Sequence, residues 1–390
     1  MPPKPKILLA ILLAILLAIL LSGATASAEL ASDTITILGP PEGAETQLTP
    51  QVRFRREVGS FLVLAREGNE SKTRRVLLNA DRKPSMLAVR GLDEPYAWTL
   101  AYNRRTKTYL AAGSYDSYLL LDKRGRRLSR HLLDSIFGQN FLVLTPIAGT
   151  NRWFGMLEEC KYGCSWGGVI IDKRGDVRSQ FGMNDLPLED MYVNFSRVLQ
   201  AGFEPEDQTI LMIWEDRYDK RPFDAPSRAI RGQRLRKNGG HAGKRLEIAR
   251  HREAASHPHM LFHEKRQEWL IVYRRGPVIK GRFLRGKVLS QPFKISDRDR
   301  DATVPSIAYA RLTDTYLLTW LEPGEEAGIY GRRVDATGIP LGRPFAISDP
   351  TEDPRVHRAG YSACNPQGEC LVTWIRPEDG SIRGRFVFVE

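Results

Sequence analysis

The chain has 390 residues, with 58 Lys and Arg against 46 Asp and Glu, which gives a formal net charge of +12. The length suits one large domain or two ordinary ones. Beyond the N-terminal segment, no apolar run approaches the roughly 20 residues that cross a membrane, which excludes a protein with several spans.

The N-terminus has the three parts of a secretory signal. A basic start, Met1 to Lys6, precedes an apolar run from Ile7 to Leu21, and the small-residue end Ala26-Ser27-Ala28 follows. An uncleaved anchor is the alternative, but the run is short for a span. We therefore expect residues 1–28 to be removed and a secreted or periplasmic chain, residues 29–390, with no transmembrane segment. No Cys lies near the site, which disfavours a lipid anchor.

One short apolar strand, usually with an aromatic residue at an end, recurs along the chain. Copies begin 44 to 59 residues apart, and the unit is therefore a structural repeat. The seven copies are Phe61–Ala65, Tyr109–Gly113, Trp153–Leu157, Ile210–Trp214, Trp269–Tyr273, Tyr316–Trp320 and Cys370–Trp374. We call these the signature strands.

Other strands keep a constant order around each signature strand. A second strand follows, which carries Ile-x-Gly in four copies, as in Ile329–Gly331. A third comes next, as in Pro344–Ser348, and a fourth precedes the next signature, as in Pro305–Tyr309. Four short strands per ~50 residues are typical of a β-propeller blade. A sandwich of unrelated hairpins is the alternative, but it gives no reason for a period.

Seven signatures predict an all-β propeller of seven blades, each of four antiparallel strands, in a single domain. Six or eight blades remain open, because the first and fourth copies are degraded. The last blade lacks an outer strand, and Thr34–Leu38 could supply it by pairing with Ile382–Phe388. Such pairing of the two ends would remove an open sheet edge.

The unit Tyr316–Trp320, Ile329–Asp335 and Gly338–Ser348 resembles the repeat of secreted bacterial propeller-like proteins. The match is close over about residues 200–390 and faint before them. The resemblance implies a propeller fold and an extracytoplasmic setting, and it brings no catalytic motif.

The four cysteines form two close pairs, Cys160 with Cys164 and Cys364 with Cys370. In an exported chain this spacing predicts two local disulfides, each across a hairpin turn. A four-thiolate zinc site is the alternative, but the pairs lie about 200 residues apart and lack C-x2-C spacing. We expect no cofactor.

A propeller glycosidase would use acidic groups near the central axis. The candidates directly follow signature strands, which places them in hairpin turns at the rim of one face, where an acid is usually only solvated. They are Glu158, Glu159, Glu215, Asp216 and Glu322. We therefore assign no catalytic residue, and a propeller glycoside hydrolase or lyase is the alternative function.

Three histidines, His257, His259 and His263, share strand parity and would point to one face. At about 3.3 Å per residue, one ion could collect only His257 and His259 from a straight strand. Ordinary polar residues lining a channel are the alternative to a metal site.

Charge is concentrated between Arg217 and Lys287, where twenty Lys and Arg face six Asp and Glu. Such a field attracts polyanions, and the alternative is plain solvation of outer strands. The segment predicts an anionic-ligand surface on the fourth and fifth blades. Its residues are Arg228, Arg231, Arg234, Arg236, Lys237, Arg274, Arg275, Lys280, Arg282, Arg285 and Lys287.

These patterns together favour a monomeric exported propeller that binds or scaffolds. Its partner would be a protein, an acidic polysaccharide or an envelope surface. No basic segment alternates with aromatic stacking residues, so specific nucleic-acid readout is not supported.

Overall fold

The computed structural model is all-β. It describes most of the chain after the N-terminal segment, and the predicted signal peptide lies outside the described residues. Those are 32–39, 50–55, 59–67, 72–78, 82–86, 97–113, 117–133, 139–160, 164–182, 200–218, 227–250, 254–297, 301–324, 327–349, 352, 354–356 and 361–389.

The described strands form seven antiparallel sheets, six of four strands and one of five. Six sheets each use strands consecutive in the chain, which confirms the prediction of repeated four-stranded antiparallel units. The first three of these are β2 (Gln51–Arg55), β3 (Ser60–Glu67), β4 (Lys72–Leu78) and β5 (Pro84–Met86); β6 (Ala97–Asn103), β7 (Thr108–Gly113), β8 (Ser117–Leu121) and β9 (Arg127–Leu132); and β10 (Gln139–Ile147), β11 (Arg152–Cys160), β12 (Cys164–Ile171) and β13 (Val177–Gly182).

The next three follow the same order. They are β14 (Gln200–Glu204), β15 (Thr209–Tyr218), β16 (Ser227–Arg236) and β17 (Leu246–Ala249); β18 (Ala255–His263), β19 (Glu268–Arg275), β20 (Val278–Arg285), β21 (Val288–Leu289) and β22 (Phe293–Lys294); and β23 (Thr303–Ala310), β24 (Thr315–Glu322), β25 (Gly328–Asp335) and β26 (Pro340–Ala346). In the fifth sheet, two short strands, β21 and β22, both pair with β20.

The remaining sheet combines the two ends of the chain. Strand β1 (Ile35–Leu38) pairs antiparallel with the last strand, and Ile35 lies opposite Gly384. This sheet contains β1, β27 (Ser362–Cys364), β28 (Glu369–Ile375) and β29 (Ile382–Phe388).

The signature strands are buried along nearly their whole length, as β24 is from Thr315 to Trp320. A strand reads as a continuous apolar run when both faces of its sheet are covered. The hydrophobic clusters lie between neighbouring sheets. One joins Leu270 of the fifth sheet to Trp320 of the next, so the core is a set of layers between sheets.

The glycine of Ile-x-Gly permits close approach of the outermost strand or the segment after it. A Cβ built on Gly331 would lie 2.7 Å from Cδ1 of Ile347. At Gly384, a Cβ would lie 2.5 Å from Cδ1 of Ile37, which belongs to β1. The N-terminal strand therefore packs on β29 as outer residues do in another sheet.

The first strands of the sheets contact one another in sequence order, from β2 through β6, β10, β14, β18 and β23 to β27. Strand β27 also contacts β2. These inner strands border a common space, which we call the channel. No helix in the described part of the chain has the length and apolar character of a membrane span.

Candidate functional site: the central channel

A cavity of about 770 Å³ occupies the channel, and each of the seven inner strands contributes to its wall. This size falls within the 300–1,000 Å³ typical of small-ligand sites. The repeat places equivalent positions at the same depth, so the lining forms three layers. We call them the rim, the aromatic ring and the floor.

The aromatic ring lies at the position seven residues before each signature strand. Five of the seven residues there are aromatic, and all seven line the cavity. They are Phe54, Tyr102, Pro146, Phe203, Phe262, Tyr309 and Ala363.

These aromatic side chains are held by the first residues of the signature strands. Tyr102 packs on Tyr109 with ring centroids 4.6 Å apart, and Tyr309 packs on Tyr316 at 5.0 Å. Each pair lies directly opposite across two strands, an arrangement in which aromatic side chains stabilise a sheet. The inner ring of each pair is half-buried, and so retains surface in the channel.

The floor lies three residues earlier, at positions that include Gln51, Thr99, Gln200 and His259. Nδ1 of His259 accepts a hydrogen bond from the backbone N–H of Ile307 at 3.0 Å. Burial, reinforced by the nearby Arg53 charge, lowers the pKa of His259 to about 3. The neutral imidazole therefore carries its proton on Nε2 as a donor.

Arg53 is the one cation among the described lining residues that lies on an inner strand, β2, and not in a rim turn. Its Nη1 donates to the carbonyl of Val52 at 2.8 Å, and burial lowers the pKa of Arg53. A guanidinium has five N–H donors and stays charged in proteins. Arg53 consequently brings a poorly solvated positive charge next to the neutral His259.

The rim is formed by hairpin turns between the first and second strands of several sheets. Its described charged lining residues are predominantly basic: Arg104, Arg105, Lys265, Arg311 and one acid, Glu264. Arg105 donates to the carbonyl of Gly149 at 2.5 Å.

Glu264 links turns from three different sheets. It pairs with Nη1 of Arg104 and, at 3.6 Å, with Nη1 of Arg311. All three side chains are at least 49% exposed, and exposed pairs contribute only about 0–1 kcal/mol. This contact can open for a ligand at little cost, and one carboxylate cannot neutralise the rim.

The predicted basic surface lies elsewhere, on the second and third strands of two sheets and in the turns that follow the third. Five of its arginines form ion pairs with carboxylates, so much of their charge is neutralised within the protein. The pairs are Arg228–Glu215 at 3.4 Å, Arg231–Glu247 at 2.8 Å, Arg234–Glu204 at 2.7 Å, Arg274–Asp301 at 2.7 Å and Arg285–Glu268 at 3.9 Å.

The other members of the surface have varied settings. Arg282 donates to the carbonyls of Ser290 and Ile248, and Arg332 makes the corresponding bond to Ile295 one sheet later. These arginines thus join neighbouring sheets. Lys237 contacts Gln208, Arg236 and Lys287 are exposed, and Arg275 and Lys280 are half-buried in β19 and β20.

The two histidines of the predicted metal site do not share one setting. The register of β18 shifts between Ser256 and His259, and His257 has a φ of +52°. This bulge breaks the simple alternation that the prediction assumed. His259 lines the channel, whereas the amide of His257 donates to Glu215 at 3.2 Å. Among the described residues, no three His, Cys, Asp or Glu side chains are grouped to hold a metal ion.

The placement of Glu215 and Glu322 in rim turns is wrong. Both lie within strands, β15 and β24, and both are buried, because these strands extend beyond their apolar signatures. Glu322 accepts a bond from the Trp320 indole at 2.7 Å. Of the described residues that line the channel, Glu264 is the only carboxylate. The side chains of Glu158, Glu159 and Asp216 lie outside the described residues.

One predicted disulfide is confirmed. Cys364 and Cys370 are bonded across the β27–β28 turn, directly opposite each other. The backbones of Cys160 and Cys164 are likewise opposite in β11 and β12, while their side chains lie outside the described residues.

Two solved structures resemble this fold. The β-propeller domain of Cps50 (Swd1) from Myceliophteria thermophila aligns with a TM-score of 0.58 and 11% identity, covering 92% of this chain and 100% of that one. BBS1N, crystallised in complex with ARL6DN, aligns with a TM-score of 0.55 and 8% identity, covering 93% and 97%. No family model and no curated protein matches the sequence. The likeness confirms the β-propeller prediction.

Proposed function

We propose that this chain is an exported, non-enzymatic β-propeller that binds an anionic ligand at the rim of its channel. One observation carries the proposal: the described charged residues lining the channel are five cations and a single carboxylate. A concave surface of one charge attracts oppositely charged ligands and steers them inward. Glycoside hydrolysis ordinarily uses a pair of acidic groups, and the described lining supplies only Glu264.

We also propose that the seven sheets are the blades of one closed ring. The contact of β2 with β27 and the pairing of β1 with β29 support it. In such a ring all rim turns face one ligand. Export is part of the proposal, supported by the signal-like residues 1–28 and by the bonded Cys364–Cys370 pair, since disulfides persist in oxidising compartments.

Two matched variants of the mature chain show whether the rim or the basic surface binds the anionic ligand. The first replaces Arg104, Arg105, Lys265 and Arg311 by Gln. The control replaces Arg236, Lys237, Lys244 and Lys287 by Gln, which removes the same charge from the sheets of the basic surface. Binding of both to polygalacturonate and heparin is measured by calorimetry at about 50 and 200 mM salt, a range over which contacts with polyanions weaken strongly.

We expect the rim variant to lose binding by about tenfold or more and the control to keep most of it. Binding that falls only in the control would assign recognition to the basic surface. Affinity independent of salt in the unaltered protein would contradict electrostatic recognition altogether. Mass spectrometry of the exported chain checks the processing step, with Glu29 expected as the first residue.

A further inference from the structure

The basic rim attracts anions in general, whereas the layers beneath it have features that suit a particular class of anionic ligand. Below the rim, the half-buried rings of Phe54, Tyr102, Phe262 and Tyr309 line the channel. Apolar and aromatic walls with a few fixed polar groups are the usual design of a small-ligand site. A polymer lying only across the rim would leave this wall unused.

The floor supplies donors suited to one acid group. Arg53 offers N–H groups beyond the one that bonds Val52. His259 offers Nε2–H because its Nδ1 already accepts from Ile307. A carboxylate that entered between them would accept charge-assisted hydrogen bonds, and arginine can bind it in bidentate geometry.

We infer that the channel admits the acidic chain end of a saccharide, a uronic-acid ring whose carboxylate pairs with Arg53 and whose apolar ring face contacts the aromatic ring. This inference rests on the proposed function and gives it a ligand class. The C–H face of a pyranose is apolar and its carboxylate is charged, which matches the two layers in order. The cavity of about 770 Å³ has room for such a ring.

Digalacturonic acid is the probe, and its dimethyl ester is the uncharged counterpart. Calorimetry compares the unaltered mature protein with Arg53→Met, Arg53→Lys and the control Arg343→Met, which removes an exposed charge from β26. Loss of a charged hydrogen-bond partner is expected to weaken binding by about tenfold to a hundredfold in Arg53→Met. Arg53→Lys should keep part of the affinity, and Arg343→Met should match the unaltered protein.

Measurements on the unaltered protein keep the inference testable if Arg53→Met fails to fold. Saturation-transfer NMR should show the ring protons of digalacturonic acid receiving magnetisation from aromatic side chains. The ester should bind at least about tenfold more weakly than the acid. Equal binding of ester and acid would overturn the inference, as would full displacement of digalacturonic acid by equimolar inorganic phosphate, which would indicate a bare oxyanion site.

Failure here is distinct from failure of the proposed function. If polygalacturonate binds through the rim but digalacturonic acid does not bind, only the chain-end inference falls. If neither ligand nor heparin binds, the proposed function falls too.

Discussion

Replacing Arg234 by Leu separates a structural role for the basic surface from a binding role. Arg234 and Glu204 are 8% and 3% exposed and are joined by two hydrogen bonds, of 2.7 and 3.3 Å. The same guanidinium donates to the carbonyl of Gly286 at 2.5 Å in the next sheet. Arg234 therefore holds two sheets together from a buried position.

The expected cost follows from the charge left behind. Removing one partner of a buried ion pair costs about 3–5 kcal/mol, because the other charge stays buried without compensation. Arg234→Leu and Glu204→Leu should each lower the free energy of unfolding by about this amount. The double variant should recover much of the loss, since replacing both partners by apolar groups is often nearly neutral. The cycle should therefore give a coupling energy larger than the loss of either single variant, that is, above about 3–5 kcal/mol.

Urea unfolding, followed by tryptophan fluorescence, measures all three variants. The control is Arg236→Leu, an exposed residue two positions along β16 on the same strand face, expected to change stability by less than about 0.5 kcal/mol. Polyanion binding by folded Arg234→Leu should remain within about twofold of the unaltered protein. The reasoning is refuted if Arg234→Leu is as stable as Arg236→Leu, or if it unfolds normally but no longer binds.

Three further changes test other layers of the fold. Lowering the pH from 7 to 4 should reduce the free energy of unfolding by up to about 3 kcal/mol through His259, because burial lowers its pKa to about 3. Below about pH 6.5 the unfolded chain binds a proton at this residue that the folded chain does not bind. In urea unfolding at both pH values, His259→Gln should therefore show a smaller loss. Replacing Cys364 and Cys370 by Ala should lower unfolding free energy by about 2 kcal/mol, as expected for a short bridged loop, and an equally stable variant in thermal unfolding would contradict this. Gly384→Val should displace β1 and speed hydrogen exchange of residues 35–38, whereas Gly39→Ala, with open space around it, should not.

The repeat could be recognised in the sequence because the buried signature strands are almost continuously apolar. Tyr316–Trp320 carries no charged residue and only one hydroxyl-bearing aliphatic residue, Thr319, since both faces of β24 are covered. The same reasoning found the β27–β28 turn, where Cys364 and Cys370 bracket a Pro and a Gly. These features depend on contacts local in the chain or repeated at equivalent positions.

The channel lining could not be identified in the same way. Inner strands mix residues of different character at each depth, so Phe54 and Tyr102 look like isolated aromatics. A signal was nevertheless present, because aromatic residues recur at the seventh position before the signature strands. At His257 the sequence gave no such signal, because strand alternation alone does not reveal a bulge with a positive φ.

Pairing between distant residues explains why the charge pattern was a poor guide to a surface. Net charge counts Arg234 as available, yet Glu204 lies 30 residues away in sequence and 2.7 Å away in space. Arg53 shows the converse, since it lies outside the basic segment but inside the channel. In a propeller, the radial position of a charge decides its role: outer-strand arginines can bond to neighbouring sheets, whereas a cation on an inner strand meets the channel. The search for a ligand therefore begins with the inner strands.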